Sequence, residues 1–308
     1  MKEAISLIVK GAAMGAANVI PGVSGGTIAL ITGIFERLIN AIKSLNIKAL
    51  KLILKADFKG FAVQTDFFFL VYIFAGVGLA IFSLARVFDF LFNNYPVYIW
   101  AYFFGLLLAS VYFVGKTISK WSIAVWVSFL VGTFIALIIT YLKPANENRE
   151  FLYLVLSGVV AVCSMILPGL SGSFVLILMG NYKLVAIEAI NNLDFSILLP
   201  VLLGMVVGLI AFSHLLSWLL KQFKNQTLAV LTGFILGSLG VIWPWKNPVY
   251  MLDAAGQPLL KAGKPIVQAY EMAFPGKFGT EEFFAFGLIL TGLLTIFAVE
   301  YLAQKKNN

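Results

Sequence analysis

Two short stretches carry the residue types that could bind an anion. Pro21-Gly22-Val23-Ser24-Gly25-Gly26-Thr27 recurs 147 residues later as Pro168-Gly169-Leu170-Ser171-Gly172-Ser173-Phe174. Each lies in an apolar run where a helix would otherwise continue. Proline removes a backbone donor and clashes with the preceding turn, so each stretch breaks one helix and starts another. A helix start presents unpaired N–H groups and the positive end of the dipole, which suits phosphate or carboxylate. Ser24, Thr27, Ser171 and Ser173 add hydroxyls. Gly25, Gly26 and Gly172 let backbone approach a bound anion closely. The same residues would also serve as caps and kinks where helices pack tightly.

Charges inside apolar runs are the other candidates, because a charge in hydrocarbon is costly unless it has a use. Arg86 lies within the run 67–92, and at an offset of 128 it falls on His214, the only histidine. Glu36 and Arg37 follow the first motif. Arginine keeps its charge and can grip phosphate through two parallel bonds. Without a ligand, Arg86 would pair with Asp89 or reach the headgroups, and the other three would be interfacial anchors. A lone cysteine, Cys163, one histidine and sparse intramembrane carboxylates make no metal set and no nucleophile with its base. Neither a cofactor nor an enzyme is expected.

The elements that must position these residues are those of a membrane protein. Of 308 residues, 61% are hydrophobic and 12% charged, against about 25% charged in soluble domains; mean hydropathy is +0.96. The net charge of +8 comes from lysines scattered between apolar segments. That pattern speaks against nucleic acid and for membrane orientation and anionic lipid. Lys10 interrupts the first apolar run and no small-residue cleavage site follows, so no secretory leader is expected.

Residues 1–42 read as a broken hairpin, with helices Ala4–Ile20 and Thr27–Ile42 on either side of the motif. In 43–60, Lys48, Lys51, Lys55 and Lys59 recur at helical spacing around Leu50, Ile53 and Leu54, predicting an amphipathic helix on an anionic leaflet. Spans are expected at 67–92, 97–115 and 121–142. The second half repeats the plan, with a broken hairpin at 151–181, spans at 197–220, 228–243 and 283–302, and a long loop at 244–282.

The halves 1–147 and 148–308 correspond in order. At 147, Gly11, Ser24, Gly25 and Gly33 fall on Gly158, Ser171, Gly172 and Gly180. At 128, Gly76 and Gly105 fall on Gly204 and Gly233, and at 160, Gly132 falls on Gly292. Lysine and arginine mark the cytoplasmic side, so 43–60 is inside, as are both termini, and 143–150, 182–196 and 244–282 are outside. Both flanks of 151–181 then lie on one side. The expected fold class is an all-α polytopic membrane protein of two inverted repeats, each a re-entrant hairpin plus three transmembrane helices. The hairpin tips should meet near the midplane, where broken backbone is tolerated against protein or a wet cavity. Eight spans in parallel repeats is the competing arrangement, and it needs 182–196 inside.

The run Asn18-Val19-Ile20-Pro21-Gly22-Val23-Ser24-Gly25-Gly26-Thr27, then Gly33-Ile34-Phe35-Glu36-Arg37-Leu38-Ile39, resembles the PopT family, long described as a domain of unknown function. So does Leu167-Pro168-Gly169-Leu170-Ser171-Gly172-Ser173-Phe174. The resemblance covers nearly the whole chain. It implies a bacterial cytoplasmic-membrane transporter that returns undecaprenyl phosphate, the lipid carrier of cell-wall precursors, from the outer to the inner leaflet. It adds Asn18 to the substrate-binding candidates, and it places an arginine where this chain has His214. A small-anion transporter or channel, and a lipid phosphatase, are the alternatives from other classes. A homo-oligomer and a coupling ion are left open.

Overall fold

In the computed structural model, residues 2–19, 24–142, 144–190, 192–252, 256–261, 263–275 and 278–307 are described. Pro21, Gly22 and Val23 of the first motif lie outside them. The helices run, in chain order, α1 (Lys2–Val19), α2 (Gly25–Ile31), α3 (Phe35–Ser44), α4 (Ile47–Leu54), α5 (Phe58–Gln64), α6 (Phe67–Asn94), α7 (Pro96–Lys116), α8 (Ile123–Tyr141), α9 (Phe151–Ile166), α10 (Gly172–Leu178), α11 (Phe195–Gln222), α12 (Lys224–Ser238) and α13 (Thr280–Asn307).

Long helices pack in pairs: α1 on α6, α9 on α11, α7 on α13, and α8 on α12. Glycines let each pair close until backbone meets backbone. A Cβ on Gly11 would strike the Ile73 carbonyl, and one on Gly76 the Ile8 carbonyl. The α9–α11 seam repeats this, with Gly158 against Val201 and Gly204 against Val155. Gly105 and Gly292 close α7 on α13, and Gly233 and Gly132 close α12 on α8, again against carbonyls. These are the glycines that the offsets of 147, 128 and 160 put in correspondence.

Each motif-bearing segment doubles back to its start. After α2 the chain turns at Gly33, in the left-handed region at φ 72°, and α3 leaves at 120°. Arg37 Nη1 then meets Glu3 Oε1 at 3.0 Å. After α10 the chain turns at Gly180, φ 75°, and passes through a π-helical turn, Leu184–Ala189. Ala145 N donates to Leu178 O at 2.8 Å, and Arg149 pairs with Glu188 at 3.2 Å. The unbroken arm expected over Thr27–Ile42 is therefore split. A glycine with positive φ ends the short arm in each half, because a residue with a Cβ is strained there.

The two hairpin bases sit at the two ends of α11. Its 28 residues rise about 42 Å. It begins beside Asp194 and the π-helical turn. It ends before Lys224, whose Nζ lies 2.6 Å from Glu36 Oε1 at the first base.

Among the described residues, four helices are long and apolar enough to cross a membrane, or up to six if each bent pair counts as one span. The expected spans 97–115, 121–142, 197–220 and 283–302 fall on those four, while 228–243 falls on the shorter α12. The segment 43–60 forms two helices rather than one, divided where Ala56 takes φ 54°. Ile47, Leu50, Leu54 and Phe58 are exposed there, alongside the lysines. The loop 244–282 departs from the all-α expectation. β1 (Lys246–Tyr250) pairs antiparallel with β4 (Val267–Met272), and β2 (Leu260–Lys261) with β3 (Lys264–Pro265). β-Branched and aromatic residues on both sides of a glycine turn favour that pairing. Lys246 ties this cap to the helices, its Nζ donating to Val241 O at 2.6 Å and lying 3.2 Å from the centre of the Trp100 ring. Burial pushes its ammonium down to about 6, against the pull of ring and carbonyl towards the charged form.

Candidate functional site

The two tips interlock. Ser24 caps α2, its Oγ accepting from Thr27 N at 3.4 Å and donating to Leu167 O at 3.0 Å. Thr27 is fully buried, and its Oγ1 accepts from Gly169 N at 3.2 Å. A Cβ on Gly26 would strike the Ile166 carbonyl. Asn18 closes the first hairpin from within, its Oδ1 accepting from Gly25 N at 2.7 Å. Asn18, Ser24, Gly25, Gly26 and Thr27 are thus gathered at one junction with the second motif.

The hydroxyls of the two tips are used differently. Those of Ser24 and Thr27 are taken up by the junction. Ser171 and Ser173 pair with each other, Oγ to Oγ at 2.8 Å, at an exposed position. Ser171 makes no side-chain capping bond to α10. Hydroxyls on the second tip therefore remain at the surface of the junction, where a phosphate could reach them. The glycines make room chiefly for protein: a Cβ on Gly25 would crowd the Asn18 amide, and one on Gly172 would crowd Met165 and the Ala161 carbonyl.

Glu36 and Arg37 sit at the base of the first hairpin, beyond α2 and its turn. Arg37 forms a fork on Asp66, Nε to Oδ2 at 2.6 Å and Nη2 to Oδ1 at 3.1 Å, and reaches Glu3 as well. Its guanidinium lies 4.3 Å from the Phe69 ring centre. Glu36 takes Lys224. His214 Nδ1 lies 2.8 Å from Ile210 O, one turn earlier on α11. Arg86 falls on α6, and its side chain lies outside the described residues. Among the described residues, no group of three or more His, Cys, Asp or Glu could hold a metal ion.

A cavity of about 640 Å³ opens between α1, α2, α7 and α13. Its walls are mostly aliphatic, including Ile28, Ile31, Leu106 and Ile296. Ile5 and Val9 stand at its lip and are 60% and 62% exposed. Lys10 is part of the wall, its Nζ donating to Thr32 O at 2.7 Å. Sequence reasoning met Lys10 only as an interruption of the first apolar run. That interruption was the available signal, since a lysine within a membrane helix calls for a purpose.

Comparison with known proteins gives a consistent result. Residues 14–257 match the family model described as VCA0040-like, undecaprenyl phosphate translocase-like. A Vibrio cholerae protein named polyprenyl-phosphate transporter is 37% identical over 304 residues, covering 98% of this chain and 97% of its own. A Staphylococcus aureus protein of the same name is 32% identical over 266 residues, covering 77% of this chain and 85% of its own. No solved structure matches significantly.

Proposed function

The chain belongs to the undecaprenyl phosphate translocase-like family, and we propose that it carries undecaprenyl phosphate from the outer to the inner leaflet of the bacterial cytoplasmic membrane, recycling the carrier for envelope synthesis. The relatives' names support a transporter of this lipid class rather than an enzyme acting on it. The observation that carries the mechanism is the junction of two tips whose bases lie at opposite ends of α11. Such a junction is reachable from either side in turn, as alternating access requires.

In this reading the repeats are inverted, the first hairpin is re-entrant from the cytoplasm and the second from outside. The ion pair between Arg149 and Glu188 favours the re-entrant second hairpin over an eight-span arrangement, because it holds both flanks of 151–181 together. The phosphate docks at the second tip, on Ser171, Ser173 and the start of α10, while the polyprenyl tail stays in lipid. Opening the junction breaks the Ser24–Leu167 and Gly169–Thr27 bonds, each worth about 1 kcal/mol net, a barrier that phosphate binding can overcome. The exposed lysines of α4 and α5 rest on the anionic inner leaflet.

The test is leaflet-resolved transport of undecaprenyl phosphate by the purified chain in liposomes. Wild type should transport. Ser171→Ala combined with Ser173→Ala should slow transport roughly tenfold, the loss of one charge-assisted hydrogen bond or more, with an unchanged melting temperature. No transport above that of protein-free vesicles would sink the proposal. Equal competition by inorganic phosphate would point to a small-anion transporter instead.

A further inference from the structure

The bases of the two hairpins differ in how their cations are matched. At the second base, Arg149 pairs with Glu147 and Glu188, and Lys183 pairs with Glu188. At the first base, Arg37 pairs with Glu3 and Asp66, and Lys224 pairs with Glu36. Lys43, in the last turn of α3, is half-buried there and has no carboxylate partner among the described residues. Its Nζ donates to Ser217 Oγ at 3.2 Å. Ser217 is buried on α11, and its hydroxyl donates in turn to Asn40 Oδ1 at 2.9 Å. Asn40 and Lys43 stand one turn apart on α3 and so share a face.

This cluster has more donors than acceptors. An ammonium carries three N–H donors and no acceptor, and a side-chain amide nitrogen carries two donors. Ser217 takes one donor from Lys43, and the Asn40 amide nitrogen makes no hydrogen bond among the described residues. The serine oxygen is neutral, so the charge of Lys43 is solvated there but not matched. Glu36, one turn before Asn40 on α3, is already neutralised by Lys224, so it does not repel an anion as a bare carboxylate would. A phosphate monoester offers three terminal oxygens, and charge-assisted bonds to them are the strong kind. Resting on the transport reading above, we propose that Lys43, Asn40 and Ser217 form a phosphate-monoester site at the first hairpin base, which holds the lipid headgroup once it has left the tip junction. Lys43 and the Asn40 amide donate to the phosphate oxygens, while Ser217 fixes both side chains from α11. Inorganic phosphate shares this chemistry, and the experiment separates the two sources.

The experiment uses the full chain with Cys163→Ala and Ser44→Cys, Ser44 being half-buried and one turn beyond Asn40 on the same face of α3. Maleimide labelling of the new thiol is followed with undecaprenyl phosphate, undecaprenol, phosphatidylglycerol or inorganic phosphate added. Undecaprenyl phosphate should protect at roughly tenfold lower concentration than undecaprenol or phosphatidylglycerol, the value of a charged hydrogen bond. Lys43→Arg should keep that advantage and Lys43→Gln should erase it. Asn40→Asp hands Lys43 a carboxylate of nearly the same shape, so it should also erase the advantage without lowering the melting temperature. An advantage that survives Asn40→Asp would overturn the site. So would equal protection by undecaprenol or phosphatidylglycerol in the reporter chain, a comparison that needs no variant at Lys43 or Asn40 to fold. Protection by inorganic phosphate at the concentration that suffices for the lipid would assign the site to free phosphate and overturn its part in transport. Absent protection in a chain that transports the lipid in liposomes would overturn the site and leave the transport reading standing. Failure of wild-type transport would overturn that reading itself.

Discussion

Thr27 and Ser173 illustrate how little a residue's type says about its partner. Both are hydroxyls near a helix break, yet one is buried on a backbone N–H of the other repeat and one is exposed beside Ser171. Thr27→Val keeps the shape and leaves Gly169 N–H without its acceptor. It should cost about 1–3 kcal/mol, the penalty for a buried unpaired donor, read as a lower melting temperature in detergent. Ser173→Ala should leave melting unchanged, and equal effects would remove the distinction between the tips. Arg37 carries the same lesson. Its planar fork fits carboxylate as well as phosphate, and only the position of Asp66, 29 residues away, decides between them.

At the scale of elements, helix seams are set by glycines that meet carbonyls. Gly76 and Gly78 lie on one helix two residues apart. A Cβ at 76 would strike the Ile8 carbonyl, whereas one at 78 meets nothing within 4 Å. Gly76→Ala should push α1 and α6 apart at a cost of about 1–3 kcal/mol, as for overpacking in a close-packed interior. Gly78→Ala should be neutral or stabilising by up to about 1 kcal/mol, through helix propensity. Melting temperatures of the two purified variants check this; indistinguishable values would mean the seam is not held by that contact. The glycine correspondence was legible in the sequence. The turn at Gly180 falls one residue before the expected end of the second hairpin, whereas the split of the 43–60 helix at Ala56 and the turn at Gly33 were not legible, because the lysine spacing continues past the first and the apolar run past the second.

For the whole molecule, the proposed orientation makes a testable claim. Arg149 and Glu188 join the two flanks of the second hairpin, while the lysine-rich α4 and α5 adjoin the base of the first. A cysteine replacing the exposed Asn192 in the Cys163→Ala background should react with an impermeant reagent added outside intact cells. Reaction only after permeabilisation would reverse the proposed orientation.

Composition and apolar runs made the chain a polytopic membrane protein. The repeated Pro-Gly-x-Ser-Gly motif marked the two breaks, and the ordered glycines put the two halves in correspondence. These were readable because each is local or periodic along the chain, and a second copy of each guarded against coincidence. The tertiary structure alone decided which hydroxyls the junction takes up, where Arg37 finds its carboxylates and what surrounds Lys10. Those outcomes depend on distances between segments from 22 to 143 residues apart, and such distances exist only once the helices have packed.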